Sequence, residues 1–287
     1  MRLKKNLKNK LSFFTSYSKK LEYIIAGFLF LITFGIYFST MAPTVSFWDT
    51  GEFIATSYIL GIPHPPGSPL FLLIGKLFTL IPISSDIAFR MNIFSPLISA
   101  ATISLLFLIC NQFIDRLDSK DNVKHFKMWS SVVASLTFAF THSHWFNAVE
   151  TEVYAFSGFM TALVVYLILI WSRDKDKPFS AMYLMGIVYV IGLATGVHLL
   201  NLLTIPFIGL IIYFSTSNFS TKNLLITLGL SLLAFIIIQN GIIKGFPAIV
   251  SKIGFAGLLF FVGVLFYLLY SSIKKQKTIL SLIYTCL

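Results

Sequence analysis

Charge is scarce in this 287-residue chain: only 11% of its residues are Asp, Glu, Lys or Arg, against about a quarter in a soluble domain. With 56% of the chain hydrophobic, that scarcity excludes a soluble globular enzyme. Glycine and proline are also few, 17 and 10 beside 30 Phe and 12 Tyr, which argues for long apolar helices and against the alternating segments of an outer-membrane barrel. The two cysteines, Cys110 and Cys286, both lie in apolar stretches, so neither a disulfide framework nor a thiolate metal site is indicated. Acids are outnumbered, 11 against 22 Lys and Arg, for a net charge of +11. In a soluble chain that excess would raise nucleic acid as a partner, but in a membrane chain the side on which the bases lie comes first.

What is present is a series of apolar runs. The first, Tyr23–Tyr37, follows a basic segment (residues 1–22) and ends without a small-residue cleavage site, so it is expected as a retained helix with a cytoplasmic N terminus. Later runs fall at about Leu70–Ile83, Phe89–Ile114, Met128–Thr141, Tyr154–Trp171, Ala181–Thr195, Leu199–Phe214, Leu224–Gln239 and Pro247–Tyr270, with a partial one from Ile279. Leu70–Ile83 decides the topology. It is shorter than the ~20 residues a span needs and is interrupted by Gly75 and Lys76. Placing it in the interface puts 18 of the 22 basic residues on the cytoplasmic side, as the positive-inside bias prefers. Eight spans are then expected before the partial one. The basic excess becomes an orientation signal, and no nucleic-acid partner is expected. The chain stops inside an apolar run, as a fragment of something longer would.

On this topology Glu22, Asp115, Asp118, Asp121, Asp174 and Asp176 belong to solvated basic loops, whereas Asp49, Glu52, Asp86, Glu150 and Glu152 lie on the outer side with His64, His142, His144 and His198. Polar groups gathered at a membrane boundary mark functional sites. Asp49 and Glu52 are three apart, hence on one helix face, and suit proton sharing, cation binding or general-base work; the same spacing also fits a helix-capping box. Four prolines between Pro63 and Pro69 make a rigid loop able to hold His64 against a neighbouring group, or simply a rigid hairpin. His142, His144, Glu150 and Glu152 fall within eleven residues, but without a His-Glu-x-x-His spacing a zinc site is disfavoured. His198 and Asn201 share a helix face and read equally well as packing residues.

The motifs Trp48-Asp-Thr-Gly-Glu52, Pro63-His-Pro-Pro-Gly67 and Glu150-Thr-Glu-Val-Tyr154, in that order on one expected side, resemble the GT-C superfamily of polytopic membrane glycosyltransferases, and within it the protein O-mannosyltransferase-like family common in Bacteroidetes. The resemblance covers about residues 23–240. It implies an all-α, multi-pass transmembrane module with interfacial helices in a first outer loop (41–88), followed by further transmembrane helices (241–287), in a bacterial inner membrane. It implies transfer of a mannose-like sugar from a polyprenyl-phosphate donor to a protein hydroxyl or other acceptor on the outer face. In that scheme Asp49 is the base of an inverting displacement, assisted by Glu52. Arg90, then Lys76 and His64, supply positive charge to the phosphate. Glu150 and Glu152 bind sugar or acceptor, and His142, His144 and His198 line the cavity. The partners implied are membrane lipid, the lipid-linked sugar and an acceptor protein; no cofactor and no metal is indicated. Two competing readings are a transporter, against which the spans carry no central acidic residue, and a non-catalytic lipid-binding subunit of a membrane complex.

Overall fold

The computed structural model describes residues 2–117 and 124–274. The partial apolar run from Ile279, Cys286, Asp118 and Asp121 lie outside the described residues. Twelve α-helices are described, and no strand among these residues: α1 (Arg2–Thr40), α2 (Thr50–Ile59), α3 (Pro69–Leu80), α4 (Ile87–Asn92), α5 (Phe94–Leu117), α6 (Lys124–Ala139), α7 (His142–Ala148), α8 (Val153–Asp174), α9 (Ser180–Thr195), α10 (Thr204–Thr216), α11 (Thr221–Ile236) and α12 (Phe246–Lys274). A 3-10 turn (Leu199–Leu203) precedes α10, and a π-helical segment (Ile237–Gly245) joins α11 to α12.

Six stretches of described helix are long and apolar enough to cross a membrane: Lys19–Thr40, Ile87–Arg116, Val153–Asp174, Leu199–Thr216, Thr221–Gly245 and Pro247–Val264. The chain is therefore a multi-pass helical membrane protein. The two remaining runs expected as spans form α6 and α9, each of 16 residues. At 1.5 Å per residue these reach about 24 Å, short of the ~30 Å hydrocarbon core. α3 has 12 residues, about 18 Å, and does not span.

The chain divides into two compact units, the first comprising residues 1–166 and 190–201 and the second 167–189 and 202–287. In the first unit α5 packs along α1 and α6. Ala26, Leu29 and Phe107 form one buried cluster at this seam, and Tyr37, Ile103, Ala139 and Ala148 another; the Tyr37 hydroxyl donates to the Ala139 carbonyl (2.9 Å). Lys127 of α6 is buried and pairs with Glu22 of α1 (3.5 Å) and with Asp115 of α5. Glu22 and Asp115 were expected to be solvated loop acids; Asp115 does stay exposed, but both pair with Lys127 across the three-helix seam, because a buried ammonium needs compensating charge.

The segment between α1 and α5 returns to the end of the bundle it left. The Asn92 amide donates to the carbonyls of Ala42 (2.8 Å) and Thr44 (2.9 Å), and Ala42 N–H donates to Val149 O (2.7 Å). α2, α3 and α4 pack on one another within this excursion. Their apolar faces meet α5 and α8 in a core of Phe53, Phe71, Met91, Phe94 and Phe156, whose rings follow one another at 5.3 Å (Phe53–Phe71), 6.0 Å (Phe71–Phe94) and 5.2 Å (Phe94–Phe156). The proline-rich loop is pinned to the turn after α9: Ser68 Oγ donates to Val197 O (2.9 Å) and Leu70 N–H to Gly196 O (2.7 Å).

In the second unit α10 packs on α11 with Gly209 against Ser231. The Tyr213 hydroxyl closes the connecting turn, accepting from Ser220 N–H (2.7 Å). Asp174, buried and also expected as a solvated loop acid, is clasped by Arg173 (3.0 Å) and Lys177 (2.9 Å). α12 is interrupted at Gly254, whose φ of 66° is a conformation that glycine alone adopts without steric cost.

Candidate functional site

The end of the first unit where the excursion leaves α1 carries a group of facing ionisable side chains. Trp48, at φ 60° and 82% exposed, turns the chain into α2. A left-handed non-glycine residue costs of order 1 kcal/mol or more and recurs at functional sites. Asp49 is the N-cap residue of α2, yet its side chain makes no capping hydrogen bond. Glu52 does not reach back to it. Both Glu52 oxygens grip His64 across the proline-rich loop: His64 N–H donates to Oε1 (2.6 Å), and Nδ1 lies 2.7 Å from Oε2. The capping-box alternative is therefore not adopted, and Asp49 is left to face solvent beside His64, whose Nε2 is 4.0 Å from Asp49 Oδ2.

The electrostatics follow from this geometry. The hydrogen bond from His64, seconded by its backbone N–H, holds the Glu52 carboxyl below its ordinary value. The same bond raises the His64 imidazole, against some desolvation, with the charges of Glu52, Asp49 and Glu152 adding to the effect. Asp49, Glu52 and His64 offer donor atoms within 4.8 Å of one another. Glu52 Oε1 is taken by the His64 N–H and Oε2 by Nδ1, so the trio is a carboxylate–imidazole pair facing a second carboxylate rather than three open donors.

Behind this pair lie two buried acids on the segment leading into α8. Glu150 is 5% exposed and accepts from Ser46 Oγ (2.7 Å) at Oε2; its Oε1 has no hydrogen-bond partner among the described residues. Glu152 is 6% exposed. Burial pushes its carboxyl up to about 7 against the pull of Val153 N–H, and the charges of Asp49 and Glu150 push the same way while His64 opposes them. Between the two acids, Thr151 donates to Asn92 Oδ1, so the buried amide that holds the start of the excursion also holds the acidic segment. Ser46 and Asn92 were not singled out in the sequence. Asn92 left a faint trace there as a polar residue inside an apolar run, and Ser46 left none.

The other expected site residues make their contacts elsewhere. The Lys76 ammonium donates to the Tyr58 carbonyl and sits 4.9 Å from the centre of the Tyr58 ring. Arg90 donates to the carbonyls of Ser84 (2.5 Å) and Thr79 (2.9 Å). Exposed His142 stacks on Phe146 (6.1 Å). His144 is wedged between Tyr37 (5.9 Å) and Phe138 (4.6 Å), and burial lowers its imidazole to about 4 despite the nearby Ser99 carbonyl, so it is a neutral packing group. His198 accepts from Leu200 N–H at Nδ1 (3.2 Å) and lies against Tyr154 (5.3 Å), directly after the acidic segment, with burial lowering its imidazole.

Residues 49–221 match the model of the protein O-mannosyl-transferase TMEM260 N-terminal domain. That is more than half of the chain. The chain belongs to this family. Every candidate residue from Asp49 to His198 falls within the stretch that matches the TMEM260 N-terminal domain. Among curated relatives, the protein O-mannosyl-transferase tmem260 of Dictyostelium discoideum is 26% identical over 192 residues, covering 62% of this chain and 22% of the relative. The protein O-mannosyl-transferase TMEM260 of Mus musculus is 32% identical over 120 residues, covering 42% of this chain and 15% of the relative. The chain thus spans about a fifth or less of the length of these TMEM260 proteins. No solved structure matches.

Proposed function

We propose that this chain is the transmembrane reaction module of a glycosyltransferase of GT-C type that moves mannose from a polyprenyl-phosphate donor to a protein hydroxyl, with Asp49 as the general base. The observation that carries the reading is the free Asp49 carboxylate at the helix N terminus, uncapped and solvent-facing, beside the Glu52–His64 pair. In an inverting displacement the acceptor oxygen attacks the sugar C1 and gives its proton to Asp49, while the C1–O bond breaks with its electron pair going to the phosphate. Glu150 and Glu152 meet sugar or acceptor hydroxyls. Arg90 and Lys76 are the proposed cations for the phosphate, each exchanging a backbone carbonyl for it. With the N terminus on the cytoplasmic side of a bacterial inner membrane, as the basic residues prefer, the site faces outward, nearest to the Bacteroidetes branch of the family in its motifs.

Membranes from cells expressing the full-length protein, supplied with radiolabelled polyprenyl-phosphate mannose, test this directly. Transfer of label to protein is expected for the wild type and its loss for Asp49→Asn, with membrane insertion unchanged. Wild-type turnover by Asp49→Asn removes the base assignment, and uptake driven by a proton or sodium gradient in proteoliposomes would favour the transporter reading.

A further inference from the structure

We propose that His64 is a proton relay, taking from Asp49 the proton that Asp49 removes from the acceptor, with Glu52 as the positioning residue that makes the relay work. This rests on the reading of Asp49 as base. Glu52 holds the loop through His64 N–H and the ring through Nδ1, so the ring's orientation is fixed at two points by one carboxylate. A carboxylate at Nδ1 makes that nitrogen the donor. In the neutral ring Nε2 is then the acceptor, and Nε2 is the atom turned to Asp49, at 4.0 Å. The Phe53 ring packs 5.6 Å from the imidazole, an apolar neighbour to it, while the half-exposed His64 side chain gives the proton a route to water.

The balance of the step is complete without another reactant. The acceptor O–H proton goes to Asp49 as the C1–O bond forms and the phosphate leaves with its electron pair. The proton passes from Asp49 Oδ2 to His64 Nε2 through one water bridging the 4.0 Å between them, and Asp49 is again a carboxylate. Glu52 stays ionised and neutralises the imidazolium, which then yields its proton to water. An imidazole is a stronger base than a carboxylate, so this transfer runs downhill. The charged and titratable groups facing His64 are Asp49 and Glu52 at the start of α2 and Glu152 before α8.

The relay needs neutral His64, so wild-type transfer falls on the acid side of a pH profile as the imidazole takes up its proton. Glu52→Gln keeps a hydrogen-bonding partner but removes the charge that favours the imidazolium; the acid limb is expected to move to lower pH, with kcat reduced. His64→Asn is expected to lose the limb and to lower kcat by about 100-fold or more with KM little changed. A merely structural His64 would leave the limb where it is in Glu52→Gln. An unmoved limb in that variant, or wild-type kcat in His64→Asn, overturns the relay while leaving an inactive Asp49→Asn to support the base. Full activity of Asp49→Asn overturns both.

Discussion

Replacing Glu152 by Gln should change how stability depends on pH, by an amount set by the structure. The Glu152 carboxyl is raised from its ordinary 4.5 to about 7 by burial beside Asp49 and Glu150. Between those values the unfolded chain binds fewer protons at this position than the folded one does. Stability from this group is therefore fully present below pH 4.5 and is lost as pH rises through 7. At about 1.4 kcal/mol per pH unit the loss is about 3–4 kcal/mol. Glutamine has nearly the same shape, keeps an oxygen for Val153 N–H, and does not titrate. Thermal unfolding of the purified full-length protein in one detergent, compared between wild type and Glu152→Gln from pH 4.5 to pH 8.5, should show the two alike at the acid end and the variant more stable by several degrees at the alkaline end. The Glu152 charge also helps to raise the His64 imidazole, so Glu152→Gln removes that coupling too, but for Glu152 it ranks behind burial. Parallel curves for the two proteins would refute a buried, proton-holding Glu152.

Two further substitutions probe the framework beneath the site. Asn92→Ala removes the donor to Ala42 O and Thr44 O and the acceptor for Thr151; the stranded groups should cost about 2–4 kcal/mol, seen as a lower unfolding temperature together with reduced transfer although Asp49 is untouched. Gly75→Ala places a methyl 2.6 Å from both Met91 Cε and Ser57 Oγ, and this overpacking should destabilise by about 1–3 kcal/mol. Gly158→Ala, which meets nothing within 4 Å, is the control and should unfold at or above the wild-type temperature.

How much of this was legible in the sequence depended on whether the deciding interaction was local. The short α3 was legible because its short run is broken by Gly75 and Lys76 and because counting it as a span would have put most later basic loops on the wrong side. The Asp49–Glu52 pair was legible as two acids on one face, but its alternatives were not separable, since a capping box and a site share the same spacing. What separated them is His64, twelve positions beyond Glu52 and brought back by a proline-rich loop. Periodicity carries no information across such a loop. Lys76 and Arg90 show a different limit. Short helices leave carbonyls without intrahelical partners; Tyr58 O near the end of α2 and Thr79 O near the end of α3 recruit these cations, a competition that a list of basic residues does not display. The buried pairing of Lys127 with Glu22 and Asp115 was missed for a similar reason, because a loop charge next to a helix end looks the same in sequence whether it is solvated or drawn under its neighbours.

The position of Asn92 bears on how loss-of-function alleles are sorted. One side chain ties the first turn of the excursion to the acidic segment that follows α7, so a change there leaves every carboxylate and the imidazole in place and still lets their mutual spacing drift. Such an allele would fail any activity screen as thoroughly as a lesion in the acids themselves. It would be told apart only by its response to temperature, and a collection of inactive alleles raised at a single growth temperature would mix chemical with architectural failures.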